Sequence, residues 1–210
     1  MIRKHVEKAS ITLDALDNAR EEAIAKSRMI VRECKKAEMS LRSGKIVEAR
    51  DILYSLLEDA KRFIGKYSSN PNIYSIVYPY MAVAFQELAE DILLLHVKEE
   101  SKLPGHDELG IPAREYIVGL CDLVGELRRE FLSKLIMGSL EEAKKILELM
   151  EEIYNGVSML SYPDALVPLR RKTDYMRALL EKSKSEFLHV KANVKLQESL
   201  KSFKSGVNSQ

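Results

Sequence analysis

The sequence predicts an all-α fold, an antiparallel helical bundle of about six or seven helices, and three observations carry that prediction. Apolar residues recur at spacings of three and four over long stretches, the period of one helix face. The composition is rich in Leu, Ala, Glu and Lys, with only 9 Gly, 6 Pro and no Trp in 210 residues, a mixture that favours helix over sheet. No segment alternates apolar and polar residues between hairpin turns, and the loops are short relative to the helices, which favours antiparallel neighbours.

The first helix is read over residues 2–43, with Ile11, Leu16, Ala19, Ala23 and Ile30 among its apolar positions, and Gly44 supplies a left-handed cap. The second runs from Ile46 to about Tyr67 and ends at "SSNPN". The third extends to about Glu100, with Pro79 either kinking it or marking its start. "SKLPGHDELGIP" reads as a loop, and the fourth helix runs from Pro112 to about Met137. Ser139 and Glu142 have the spacing of a capping box opening the fifth helix, and "ALVPLRRKTDYMRALLEKSKSEFL" forms the last. Residues 1–191 are read as a single all-α domain. The Lys/Ser-rich tail, 192–210, is expected to be frayed or disordered.

Net charge is +1, from 33 basic and 32 acidic residues, so any nucleic-acid surface must be a local patch. Cys34 and Cys121 are too few for a disulfide framework, which suits a reducing cytoplasm. The start "MIRKHVEKAS" has no apolar signal core, and no apolar run is long enough to span a bilayer, so no membrane partner is expected.

The chemistry sits in "VAFQELAEDILLL" and "EYIVGLCDLVGELRREF". Val83, Glu87, Glu90 and Leu94 follow 4-3-4 spacing and share one helix face, leaving two carboxylates as neighbours on an otherwise apolar stripe. Asp91 stands about 100° from Glu90 on the wheel and is left outside this pair. In the fourth helix Asp122 and Glu126 project together, on a stripe that includes Gly119, Gly125 and Arg129. A helical Gly costs about 1 kcal/mol relative to Ala, so two on the acidic stripe suggest close approach of a helix, a substrate or a metal. Two carboxylate pairs on facing helices would suit Mg²⁺ or Mn²⁺ and could activate water against a phosphodiester. The same spacing also fits solvated helix faces, and spacing alone leaves both readings open.

"IPAREYIVGLCDLVGELRREFLSKLIMGSLEEA" resembles the signature of the translin family, in particular its translin-associated factor X branch, TRAX. Tyr116, Gly119, Asp122, Leu123, Gly125, Glu126 and Leu127 match that signature directly. Gln86, Glu87 and Glu90 match the branch's Leu-Gln-Glu-Tyr-Val-Glu helix, and "LRRKTDYMRALLEKSKSEF" resembles the family's last helix. The resemblance covers roughly residues 10–188. It implies a Mg²⁺-dependent endoribonuclease, Mn²⁺ being the other candidate metal, that acts on single-stranded RNA inside a closed homo-oligomeric shell, an octamer in the family. Single-stranded DNA is the other candidate partner. Carried over by position, Glu87, Glu90 and Asp122 match the catalytic, metal-holding acids, and Glu126 matches an acid beside them. The compact form resembles an archaeal version. Translin's basic-aromatic stretch appears here as "YPYMAV", with Tyr78 and Tyr80 but no cation.

Arg128, Arg129 and Lys134, and the second cluster Arg170, Arg171 and Lys172, are the candidate phosphate-binding cations. Arg129 leads them because it shares the Asp122 stripe; helix solvation or inter-subunit pairing is the competing role. Tyr78 and Tyr80 are candidates for base stacking or for packing. His5, His96, His106 and His189 are scattered, and no Glu-x-x-His pair indicates a di-iron bundle. Two alternatives compete: a non-catalytic translin-like RNA or single-stranded DNA binder, and an all-α Mg²⁺-dependent nucleoside triphosphate pyrophosphohydrolase.

Overall fold

In the computed structural model, which describes the backbone of residues 1–207 and the side chains of residues 1–202, every regular element is a helix. Their order is α1 (Ile2–Arg42), α2 (Ile46–Gly65), α3 (Pro71–Lys98), α4 (His106–Leu109), α5 (Ala113–Ile136), α6 (Leu140–Ser158) and α7 (Leu169–Val207). The all-α prediction and its count of six or seven helices hold. The chain divides into two compact units at Leu120/Cys121, a boundary that falls inside α5.

In the first unit α1, α2 and α3 pack against one another. Nothing before Ala19 is buried on α1; from there Ala19, Ala23, Ile30, Cys34, Ala37 and Leu41 form a buried stripe at spacings of three, four and seven. Gly44, at φ 76°, makes the left-handed turn into α2, where a Cβ would be strained. α3 starts at Pro71, whose missing N–H is no loss in a first turn. The Asn70 side chain caps it by accepting from the N–H groups of Asn72 and Ile73. Pro79 therefore lies inside a continuous helix. α3 is buried over most of its circumference from Met81 to Leu95, which explains its nearly unbroken apolar run.

In the second unit α6 packs on α7. Met150, Ile153 and Val157 of α6 and Met176 and Leu180 of α7 are buried. The Phe131 and Phe187 rings lie 6.4 Å apart.

Three local expectations are corrected. The loop before α5 contains a short helix, α4, closed by Gly110 in the left-handed conformation. The Ser139–Glu142 box does not form: the Ser139 side chain makes no capping hydrogen bond, and Glu142 instead pairs with Lys134. α7 begins at Leu169, just after Pro168, and continues through residues 192–207, where Lys, Gln, Glu and Leu are good helix formers. The last three residues of the expected disordered tail lie outside the described ones. No helix among the described residues is long and apolar enough to cross a membrane.

Candidate functional site

The acidic turn of α3 lies between solvent and core. Val83 is 51% exposed and Leu94 is 2% exposed, and Glu87 and Glu90 are half-buried between them. Asp91, left aside on the helical wheel, is the most buried acid of the three. It lies close enough to the Cys34 thiol of α1 for its charge to act on that group. Burial raises the Cys34 pKa far above its ordinary value, and the charges of Asp91, Glu87 and Glu90 raise it further. All three carboxylates of this turn thus act on one buried point of α1. A wheel drawn for α3 alone could not show that, because it does not say where α1 lies.

Gly119 accounts for the way α5 meets this turn. A Cβ on Gly119 would fall 2.7 Å from the Gln86 carbonyl oxygen, 2.8 Å from the Ala89 Cβ and 3.0 Å from the Glu90 nitrogen. Only glycine fits, so α5 lies against the backbone of α3 at Gln86–Glu90. The close approach expected from the glycines is realised here by a helix. Gly125 differs: the nearest atom to its Cβ position would be the Tyr175 hydroxyl, at 3.9 Å.

In the second unit Asp122 and Glu126 each hold a protein cation. Lys172 of α7 donates to Asp122, whose side chain is 21% exposed. Arg129 pairs with Glu126 at 2.7 Å, with the acid 12% exposed and the cation 63% exposed. Sequence reasoning named Lys172 as part of a basic cluster, but a partner 50 residues away leaves no local signal. Cys121 is buried and its thiol is pushed up to about 12, by burial first and then by Asp122.

The candidate cations divide by environment. Arg128 is buried. It donates to the Ser183 hydroxyl at 2.6 Å and to both oxygens of Glu186 at 2.9 Å, so its guanidinium ties α5 to α7. Lys134 pairs with Glu142, while Arg170 and Arg171 are exposed at the start of α7. Tyr78 stacks on Tyr74 and donates to the buried Glu115 at 2.7 Å, a packing role. Tyr80 is 36% exposed. His96 is held between the Tyr54 hydroxyl and the Ser101 hydroxyl.

The four acids are all hard oxygen donors, with no thiolate or imidazole among them, the donor type that suits Mg²⁺ or Mn²⁺, while Asp122 and Glu126 are each engaged by a protein cation, Lys172 and Arg129. Within either unit, no three described His, Cys, Asp or Glu residues are grouped closely enough to hold a metal ion.

An all-helical chain with an acidic turn on one helix, and a Gly-x-x-Asp-Leu-x-Gly-Glu-Leu helix laid on it at its first glycine, defines a translin-type helical protein. The model of the Translin family matches residues 3–191, and the chain belongs to that family. An uncharacterized protein of Methanocaldococcus jannaschii, MJ0175, is 32% identical over 195 residues, which span 92% of this chain and 86% of that protein. The crystal structure of AfC3PO is similar over 90% of this chain and 98% of its own, with 30% identity and a TM-score of 0.77. The structure of AfC3PO with duplex RNA gives 29% identity and a TM-score of 0.78 over 90% and 97%. Apo-NeC3PO, 24% identical with a TM-score of 0.76 over 88% and 96%, shows the shared fold.

Proposed function

We propose that this protein is a metal-dependent endoribonuclease of the translin family. Glu87, Glu90 and Asp122 would hold Mg²⁺ or Mn²⁺, with Glu126 beside them. The observation that carries the reading is the Gly119 contact, which sets the signature helix α5 directly on the acidic turn of α3. The relative captured with duplex RNA supports RNA as the ligand, and the paired acids support a reaction on it. Assembly of several copies into a closed shell, an octamer by family resemblance, belongs to the same proposal, as does a cytoplasmic setting. Single-stranded RNA remains the proposed substrate, and duplex RNA is the form bound by that relative.

A bound divalent ion supplies two things, an activated water and neutralisation of phosphate charge. The chain's own groups do the rest. Glu87, Glu90 and Asp122 offer oxygen donors from two helices, and Gly119 fixes how closely α5 lies on the turn that carries the first two. Lys172 and Arg129, held at Asp122 and Glu126, offer positive charge to a phosphate near those acids. Arg170 and Arg171 are exposed and offer further phosphate contacts, whereas Arg128 and Lys134 are engaged with Glu186 and Glu142. The pyrophosphohydrolase alternative draws no support from the comparisons.

The test is incubation of the pure chain with Mg²⁺ and, separately, with single-stranded RNA, duplex RNA and nucleoside triphosphates. Internal RNA cleavage that EDTA abolishes is expected. RNA bound and left intact under every metal condition would identify the non-catalytic binder. Pyrophosphate release from nucleotides, with intact RNA, would identify the pyrophosphohydrolase.

A further inference from the structure

A groove of about 550 Å³ runs between α1 and α3 in the first unit, lined by Ile24, Arg28, Val31, Arg32 and Lys35 of α1 and by Pro79, Tyr80 and Val83 of α3. Its volume is within the range of ligand-binding clefts. Its floor is apolar and its α1 rim carries three cations at spacings of four and three, on one helix face. From Arg20 to Arg42, most α1 cations are neutralised: Arg20 by Asp17 and Glu21, Lys26 by Asp59, Lys36 by Glu33 and Arg42 by Glu38. Among the described residues Arg32 pairs with its neighbour Glu33, at 3.4 Å, an acid that Lys36 also engages. Arg28 and Lys35 have no ion pair among the described residues, and both line the groove. Excess positive charge on this stretch is therefore concentrated in one cleft.

Tyr80 borders the same cleft with its ring partly exposed, and the Arg20 guanidinium of α1 stands near its hydroxyl. Val83, the next groove residue on α3, is one turn before Glu87 on the same face. Lys35, at the other end of the cation row, follows Cys34, the point on which Glu87, Glu90 and Asp91 act. The groove thus leads from an aromatic ring and a cation row toward the acidic turn.

The geometry points to this groove as the track that holds an RNA strand and feeds it to Glu87 and Glu90, with Arg28, Arg32 and Lys35 on successive phosphates and a base stacked on Tyr80. The inference rests on the nuclease reading and adds to it where the strand lies. Charge complementarity selects the occupant: a row of cations, two of them without an ion pair among the described residues, beside a partly exposed ring over an apolar floor matches a phosphate backbone with a base. From Arg28 to Lys35 the helix rises about 10 Å, roughly three nucleotides of a stacked strand. The stretch "YPYMAV" carries no cation of its own, and the cations of the groove stand on the facing helix, 43 to 55 residues earlier in the chain.

The test is fluorescence anisotropy of a fluorescein-labelled oligouridylate with the full chain in EDTA, which separates binding from cleavage, across a salt series. Arg28→Ala with Lys35→Ala should weaken binding about tenfold or more and reduce the salt slope by about 1.4, two phosphate contacts on a single strand. Tyr80→Ala should weaken binding about tenfold at all salts, while Tyr80→Leu, which fills the space without a stacking ring, should not restore it. Lys182→Ala, an exposed cation on α7, should match the parent chain. Unchanged affinity and slope in the groove variants, with the parent chain binding RNA, would overturn the track and leave the nuclease reading standing. Loss of assembly in step with loss of binding, measured by sedimentation, would make the groove a contact between subunits and overturn it. A parent chain that binds no RNA would bring down both.

Discussion

Lys172 of α7 donates directly to the carboxylate of Asp122 on α5, so a proposed metal ligand already holds a cation of the protein. Both side chains are about a quarter exposed, at 27% and 21%, and such pairs are worth about 1 kcal/mol or less. A divalent ion approaching Asp122 meets the ammonium as a like charge. Lys172→Met should therefore tighten Mn²⁺ binding, by up to about fivefold, while slowing RNA cleavage if the ammonium also meets phosphate. Titration of Mn²⁺ by electron paramagnetic resonance reads the first effect. Weaker Mn²⁺ binding in the variant would show that Lys172 instead orders the site.

The two glycines of the signature should respond in opposite directions to the same substitution. At Gly119 a methyl meets a backbone carbonyl at 2.7 Å and cannot be accommodated without moving α5 from α3. The overpacking costs about 1–3 kcal/mol, more than the helix-propensity gain offsets. At Gly125 the nearest atom is 3.9 Å away, so Gly125→Ala should stabilise by up to about 1 kcal/mol. Urea unfolding midpoints decide, and a neutral Gly119→Ala would contradict the close packing.

Arg128 should be a stability residue. Arg128→Ala leaves the buried Ser183 hydroxyl without that donor and Glu186, at 32% exposure, without its bidentate partner. A loss of about 2 kcal/mol is expected, below the full buried-pair figure because Glu186 is partly solvated. Calorimetry checks it. A variant that melts like the parent but loses RNA affinity would return Arg128 to the phosphate-binding set.

The two thiols should be inert at neutral pH. Burial raises both pKa values above the ordinary 9.0, to about 12 for Cys121, with nearby carboxylates adding to the effect. Above pH 9 the unfolded chain releases these protons and the folded chain keeps them, so stability is intact below pH 9 and falls as pH rises through the folded values. The slope is about 1.4 kcal/mol per pH unit for each thiol. Iodoacetamide labelling followed by mass spectrometry should show modification only on unfolding, and Cys34→Ala with Cys121→Ala should flatten the alkaline limb of stability. Rapid labelling of the native chain would contradict the burial.

What the sequence disclosed follows from how local each feature is. The helices, the turn at Gly44 and the value of Gly119 were legible because period, cap chemistry and the cost of a helical glycine act within a few residues. Asp91 was not, because its burial depends on α1, more than fifty residues away in sequence. The same holds for Lys172 on Asp122 and for Arg128 on Glu186, whose partners lie 50 and 58 residues away. Ser139 and Glu142 had the right spacing for a capping box, but Lys134, across the turn, took the glutamate. Glu87, Glu90, Asp122 and Glu126 were singled out by pairing and spacing, and the chemistry proposed for them came from the family resemblance.

The most direct measurement pairs cleavage with binding in Glu87→Gln and Asp122→Asn, neutral substitutions that keep side-chain volume. Mg²⁺-dependent cleavage of an end-labelled RNA is followed beside anisotropy of the same RNA in EDTA. The account predicts cleavage falling by about 100-fold or more in each variant, with binding and assembly retained. Cleavage at the parent rate in both variants would contradict the central claim.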